Sequence, residues 1–485
     1  MDNKRISTWV RNHPIPTWTV VILAGLVAIL SARTYAGSWN DGSRLATVEC
    51  LVDYHTLAID RSIFVQVPPA GRGNPSVYYS KDAPDLLRAG TLDKLYIDGH
   101  YYSDKSPVPA LLMAGVYQAL QWATGLTARD RPDEFCYWMN LLSSGLAYVL
   151  AVGCIYQMGR RLGLAPGLRI LLTASFALCT VAPTYSEHVN NHMLLLGVMS
   201  ALMLIVAGLT QDVIAVGGQN SQAILIGMLA GMGYTIDLGV GPVLLVTTFA
   251  LVVWRFRKPV PILLFTLATL PWLALHHGVN YAVGGTLAPA NSVARYFQWP
   301  GCPFNAENMT GTWKHPNVSH FLLYAADLLF GKRGFVGHNL PLFLALPALI
   351  FLLAKRVRER SEVLYVAGLC GGVWLLYAAT SNNLSGVCCS VRWLVPLLAP
   401  LYYLLAIALR ERPDCGHDLL VLSAFGAVLS GFMWWQGPWM MHLVKVFWPI
   451  QALALVTWGW IAYRRLNKVQ RLSNRLDASD AKKAA

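Results

Sequence analysis

The chain has 485 residues, of which 55% are hydrophobic and only 13% charged. Soluble globular proteins carry about 25% charged residues, so this composition excludes an ordinary soluble fold. A net charge of +13 would suit nucleic acid in a soluble protein; in a chain this apolar it points to basic loops beside anionic headgroups, with membrane lipids and no nucleic acid as partners.

Lys4, Arg5 and Arg11 precede an apolar run from Thr17 to Leu30. Arg33 interrupts its end and no small-residue cleavage site follows, so the run reads as an uncleaved first span over 16–36 rather than a removed signal peptide. Eleven further apolar runs are 137–158, 168–185, 192–210, 222–237, 240–255, 259–277, 338–354, 362–380, 393–409, 417–435 and 446–463. Their usual length of about 17–22 residues matches a hydrocarbon layer of ~30 Å. One more run, 107–127, can span or lie at the interface; its early prolines, Pro107 and Pro109, suit a helix that begins at a surface.

Charge decides between the two. The basic clusters are Lys4/Arg5/Arg11, Arg160-Arg161, Arg255/Arg257/Lys258, Lys355/Arg356/Arg358/Arg360, Arg410/Arg412 and Arg464-Arg465/Lys468. If 107–127 does not cross, all of them fall on the side of the N-terminus, as cytoplasmic loops should. The expected fold class is therefore an all-α polytopic membrane protein of about twelve transmembrane helices, with interfacial helices in the first outer loop. It is read as one transmembrane domain over 1–475, with outer loops 37–136 and 278–337, and a disordered cytoplasmic tail over 476–485. Lys332-Arg333, after an interfacial helix at Ser319–Phe330, breaks the charge rule and reads as an anion site or a solvated turn.

This topology collects the unusual polar residues at one face. Asp41, in Asn40-Asp-Gly-Ser-Arg44, is a carboxylate at the membrane edge beside a cation, suited to general-base work or to capping a helix over Ser43–Leu57. Glu49 on that helix reads as a surface carboxylate. Lys105, in Tyr101-Tyr-Ser-Asp-Lys105-Ser-Pro107, stands at a helix start, where a cation is disfavoured unless an anion binds there; the alternative is a snorkelling lysine. Ser186-Glu-His-Val-Asn-Asn-His192 packs six polar side chains into seven residues, suited to hydrogen-bonding a polar substrate. His188 and His192 share a helix face, but no third metal ligand stands at a useful spacing, and the nine cysteines show none either. Asp237 is an isolated acid expected to pair with a basic residue. Arg392, at the mouth of a proline-bearing span, suits bidentate phosphate binding or anchoring beside Trp393.

Taken together, these residues resemble a family. Asp41-x-x-Arg44 after the first span resembles the D-E-x-R-Y opening of the GT-C glycosyltransferases, which include protein mannosyltransferases, lipid A aminoarabinose transferase and bacterial relatives. Tyr102-Ser-Asp-Lys105-Ser-Pro107 is similar to their Y-x-x-K-P-P-L motif. Phe330-Gly-Lys-Arg-Gly and the following Pro341-Leu342 resemble F-G-x-R-G…P-L, and Ser390-Val-Arg392-Trp-Leu-Val-Pro-Leu-Leu-Ala-Pro400 resembles G-x-R-Y-l-x-P-x-x-P. The resemblance implies a polyprenyl-phosphate-linked sugar donor used at the outer face of a bacterial inner membrane, with direct displacement and inversion; the charge pattern and about twelve crossings put both termini in the cytoplasm. By the same resemblance Asp41 is the base, Lys105, Arg392 and Arg44 hold the donor phosphate, and Tyr102, Asp104, His188, Asn191 and His192 surround the substrates.

The chain departs from the pattern at Gly42, where an acid is usual, and at Ser106, where a proline is usual. No aspartate opens the fourth span; Glu187, as candidate second carboxylate, or the Asn190-Asn191-His192 group occupies that region instead. No cofactor is required, a divalent cation is left open, and the acceptor is an unspecified glycan, lipid or protein. A transporter or lipid flippase, which would place ionisable residues near the midplane and often shows inverted repeats, and a noncatalytic sugar-lipid-binding subunit are the competing classes.

Overall fold

In the computed structural model of the chain, residues 18–65, 90–210, 218–305, 309–440 and 443–484 are described, with side chains of 466 and 468–484 set aside. The first basic cluster, and Lys468 as a side chain, lie outside the described residues. Helix α1, Thr19–Ser31, leads into α2, Trp39–Asp53. Ser38 starts α2 through a capping box: its hydroxyl accepts from the Asp41 amide, and the Asp41 carboxylate accepts from the Ser38 amide. The helix thus begins four residues earlier than Ser43.

A hairpin follows, with β1, Lys94–Ile97, antiparallel to β2, His100–Ser103, and Leu95 opposite Tyr102. Asp98 and Gly99 both have positive φ, as a two-residue turn between twisted strands requires. The Ser43 hydroxyl donates to the Asp93 carbonyl at 2.6 Å and lies 2.6 Å from the Ser103 hydroxyl, which ties the hairpin to α2. Helix α3, Pro107–Thr124, is capped by Ser106 and packs its Ala110, Met113, Ala114 and Tyr117 face with the apolar residues of α2. Its Tyr117 hydroxyl donates to Asp53 at 3.0 Å.

The bundle continues with α4, Pro132–Arg161; α5, Pro166–Leu178; α6, Asn191–Leu209; α7, Gly218–Ile236; α8, Gly241–Phe256; and α9, Pro259–Gly284. After the second large loop come α10, Val318–Phe330; α11, Ala345–Lys355; α12, Arg360–Thr380; α13, Leu398–Glu411; α14, Gly416–Gln436; and α15, Phe447–Ala484. A 3₁₀ turn, Arg392–Leu397, runs straight into α13. Helix α15 continues across the tail that was expected to be disordered.

Among the described residues six helices are long and apolar enough to cross a membrane, or seven if the pair Val318–His338 and Leu340–Lys355, bent by 113°, is one span. Helices α1, α5 and α8 are apolar but shorter, and α3 is not among the six. The expected twelve crossings are therefore not counted directly. Close packing uses small residues, as membrane helices do in the absence of a hydrophobic drive between them. A Cβ on Gly227 of α7 would lie 2.4 Å from the Phe265 carbonyl of α9.

The bundle has two chemically different ends. Arg410 at the end of α13 makes two bonds to Glu359 at the start of α12, at 2.7 and 2.8 Å, and Arg465 reaches Asp418 at 2.6 Å. Tyr377, near the other end of α12, is about 25 Å away along that helix. The basic residues expected to share one side thus include a group at this end, and the polar residues of interest gather around Tyr377.

Candidate active site

Three elements start at the same place. Asn190 caps α6, its side-chain oxygen accepting from the His192 amide at 2.8 Å, so Asn191 and His192 stand in the first turn. A π-turn in α4, Leu141–Gly145, fixes that start: the Asn190 amide donates to Ser144 Oγ at 2.8 Å and the Val189 amide to Asn140 Oδ1 at 2.7 Å. The hairpin delivers Asp104 and Lys105 to the start of α3, and the 3₁₀ turn before α13 delivers Arg392.

These ends enclose a cavity of about 280 Å³, lined among others by Asn40, Arg44, Asp104, Lys105, Asn191, His192, Asp237, Tyr377, Arg392 and Trp393. Of the ten site residues expected from sequence, the cavity brings together Arg44, Lys105, Arg392, Asp104, Asn191 and His192. The other four lie elsewhere. The Asp41 carboxylate is fully buried in its capping box, accepting from the amides of Gly37 and Ser38 at 2.7 Å each, with His188 Nδ1 at 3.2 Å. One step along a helix turns a side chain by about 100°, so Asn40 and Arg44 face the cavity while Asp41 and its companion His188 face the packed interior. Glu187 is fully buried against Arg33 at 2.5 Å; burial pushes its pKa up to about 8, against the lowering pull of Arg33. Tyr102 lines a separate pocket of about 40 Å³ with Thr47 and Asn280.

The cations differ in how they are held. Lys105 Nζ lies 2.8 Å from Asp93 and 2.6 Å from Asp104. Burial raises the Asp104 pKa to about 6 in spite of Lys105, and its Oδ1 has no hydrogen-bond partner. The Arg44 guanidinium donates to the Asn40 carbonyl at 2.8 Å and to the Asn40 side-chain oxygen, and burial lowers its pKa to about 10. Arg392 packs against the Trp439 ring at 5.4 Å, and its amide donates to Ser385 Oγ at 3.0 Å. Among the described residues neither arginine has a carboxylate within 4.0 Å, and the Nε of each is buried without a partner.

Asp237, in the turn after α7, is the opposite case. Its carboxylate accepts from the amides of Gly239 and Val240 at 2.9 and 3.1 Å, from Asn191 Nδ2 at 2.7 Å and from the Tyr377 hydroxyl at 3.3 Å, with His192 Nδ1 at 3.0 Å. Burial alone would raise its pKa; the His192 contact and the Val240 and Gly239 amides outweigh it and bring the value down to about 2. Gly239 is required here, because a Cβ would stand 2.1 Å from the Tyr377 hydroxyl.

Several of these participants carried little signal in the sequence. Tyr377 and Trp393, whose rings stack 4.4 Å apart, belong to ordinary-looking span ends. Asp93 becomes the partner of Lys105 only through the hairpin. The Asp41 cap, however, was written in Ser38-x-x-Asp41. Arg333, a candidate anion site, donates to the Gly386 carbonyl at 2.6 Å and ties the loop before Arg392. Lys105 stands between Asp93 and Asp104. Among the described residues no group of three His, Cys, Asp or Glu is placed to hold a metal ion.

No protein-family model matches the chain, and no curated protein does. Solved structures do. ArnT from Cupriavidus metallidurans, in a crystal structure bound to undecaprenyl phosphate, is similar over 90% of this chain and 74% of its own, at 14% identity and a TM-score of 0.50. The chain shares its fold with ArnT. This is the membrane-helical architecture that the motif resemblance implied. The apo oligosaccharyltransferase of Archaeoglobus fulgidus is similar over 90% of this chain and 56% of its own, at 12% identity and a TM-score of 0.44.

Proposed function

We propose that the protein is an integral membrane glycosyltransferase that moves a sugar from a polyprenyl-phosphate donor to a hydroxyl- or amine-bearing acceptor at the extracytoplasmic face. The observation that carries this reading is the pair of guanidiniums, buried Arg44 and half-buried Arg392, on one cavity without carboxylate partners among the described residues. The ArnT structure of the same fold is bound to undecaprenyl phosphate, which supports a lipid phosphate as the anion.

The chemistry follows from charge. A sugar-phosphate-lipid diester carries one negative charge. When the bond from the sugar carbon to the phosphate oxygen breaks, the departing monoester gains a second. Arg44 and Arg392, with Lys105 beside them, stabilise that developing charge more than they stabilise the donor, which is what accelerates a reaction. The N-terminus of α6 adds its partial positive charge at the same point. Trp393, stacked on Tyr377, offers a flat face for the sugar ring.

The test is transfer of radiolabelled sugar from membrane-derived polyprenyl-phosphate donors by the purified protein in proteoliposomes. Wild-type transfer that falls by roughly 10²–10³-fold in Arg392→Ala is the expected result. Labelled donor that crosses to the opposite leaflet without any transfer would replace the enzyme with a flippase.

A further inference from the structure

We propose that His192 is the proton acceptor of the transfer and that Asp237 is its positioning residue. The inference rests on the glycosyltransferase reading and replaces Asp41 in the role that the resemblance implied. A proton acceptor must touch the acceptor group, and the Asp41 carboxylate is fully buried outside the cavity lining. His192 lines the cavity. Its Nδ1 is 3.0 Å from Asp237 Oδ2, and among the described residues its Nε2 has no protein partner.

The two nitrogens therefore have different tasks. With Nδ1 carrying the hydrogen toward Asp237, Nε2 presents a lone pair. The Nδ1 hydrogen does not point squarely at the carboxylate in this arrangement. Catalytic hydrogen bonds of ligand-free sites are commonly misaligned in this way and tighten when substrate is bound. Asp237 cannot swing away to relieve the angle, because the Gly239 and Val240 amides and Asn191 hold it.

In the reaction, the acceptor oxygen or nitrogen forms a bond to the anomeric carbon while the bond from that carbon to the phosphate oxygen breaks. The electron pair leaves on the phosphate, held by Arg44 and Arg392, and the acceptor's proton passes to Nε2. The resulting imidazolium is balanced by Asp237. The charged and titratable groups around the ring are Asp237 and Tyr377, with Arg44, Arg392, Asp104 and Lys105 around the same cavity. Asp104 is the rival acceptor, but one of its oxygens holds Lys105 at 2.6 Å and the other is sealed from solvent.

The experiment measures transfer by wild type, His192→Gln, Asp237→Asn and Asp104→Asn, with the natural acceptor and with azide, an anionic nucleophile that has no proton to lose. His192→Gln should lower kcat for the natural acceptor by roughly 10²–10⁴-fold with little change in the donor KM. It should also remove the acidic limb of the pH profile, and its rate should recover with azide as the glycosyl azide forms. Asp237→Asn should lower kcat in the same direction. Wild-type rates in His192→Gln, with loss confined to Asp104→Asn, would overturn the inference alone. Loss of natural-acceptor and azide transfer alike in a folded His192→Gln would overturn it in favour of a structural role. An inactive wild type would overturn both this inference and the enzyme reading.

Discussion

Glu49 shows how far a single residue departs from its appearance in the sequence. Read alone, it is a surface carboxylate on a polar helix; in the fold it is fully buried, accepting from the Ser62 hydroxyl at 2.6 Å and the Ile63 amide at 3.0 Å. Burial pushes its pKa up to about 8 from an ordinary 4.5, and the two hydrogen bonds, which favour the anion, do not reverse it. The folded state therefore binds a proton that the unfolded chain has released between these values. The stabilisation is complete below about 4.5, shrinks as pH rises and is gone above about 8. Thermal unfolding in detergent should show a smaller fall in Tm across this window for Glu49→Gln than for wild type. Parallel curves would mean that Glu49 is ionised in the fold. The same limit applied at the cavity: which residues lie at span ends was readable, as with Lys105, Asn191, His192 and Arg392. Which way each one faces was not, because burial and partners are tertiary facts.

At the scale of the element, α2 carries the argument. Its first turn puts Asn40 and Arg44 on the cavity and Asp41 in the cap, so the carboxylate's work is to start the helix that aims the arginine. Asp41→Ala should destabilise the protein by about 1–2 kcal/mol, the usual cost of a lost cap, and Asp41→Asn by less, since an amide oxygen still accepts. Transfer in Asp41→Asn should then fall only modestly. If that variant folds like wild type and loses activity by a factor of the size expected for a general base, the cap account fails and Asp41 returns as the proton acceptor. The sequence contained both halves of this element. The polar segment around Asp41 and Arg44 was read as leading into a helix beside the first span, and the Ser38-x-x-Asp41 spacing marked its start. Setting that start at Ser43 left Asp41 outside the helix, and its side-chain direction could not be read. The hairpin that brings Asp93 to Lys105 gave no comparable warning, since its four-residue strands lie in a polar loop.

For the whole molecule, the positions of basic residues constrain the arrangement more firmly than the apolar runs do. Several helices are shorter than a full crossing, yet Arg410, Lys355 and Arg465 gather at ion pairs on the end of the bundle remote from the cavity. Single cysteines placed at the exposed positions His100 and Arg356 should therefore react differently with a membrane-impermeant thiol reagent. His100→Cys should label in intact cells, and Arg356→Cys only after permeabilisation. Equal labelling of both in intact cells would overturn the assigned sidedness.

Lys105, pinned between Asp93 and Asp104, has a consequence for discrimination. An anion that recruits this ammonium must displace two carboxylates already at contact distance. Free inorganic phosphate in the surrounding medium meets that threshold with its charge alone. A phosphate tethered to a long hydrocarbon tail is confined to the bilayer surface and returns to the same spot at high local concentration. On the proposed function, the clasp would act as a sieve for anchored ligands: it would hold the lysine in reserve against small anions and yield to one that the membrane itself delivers.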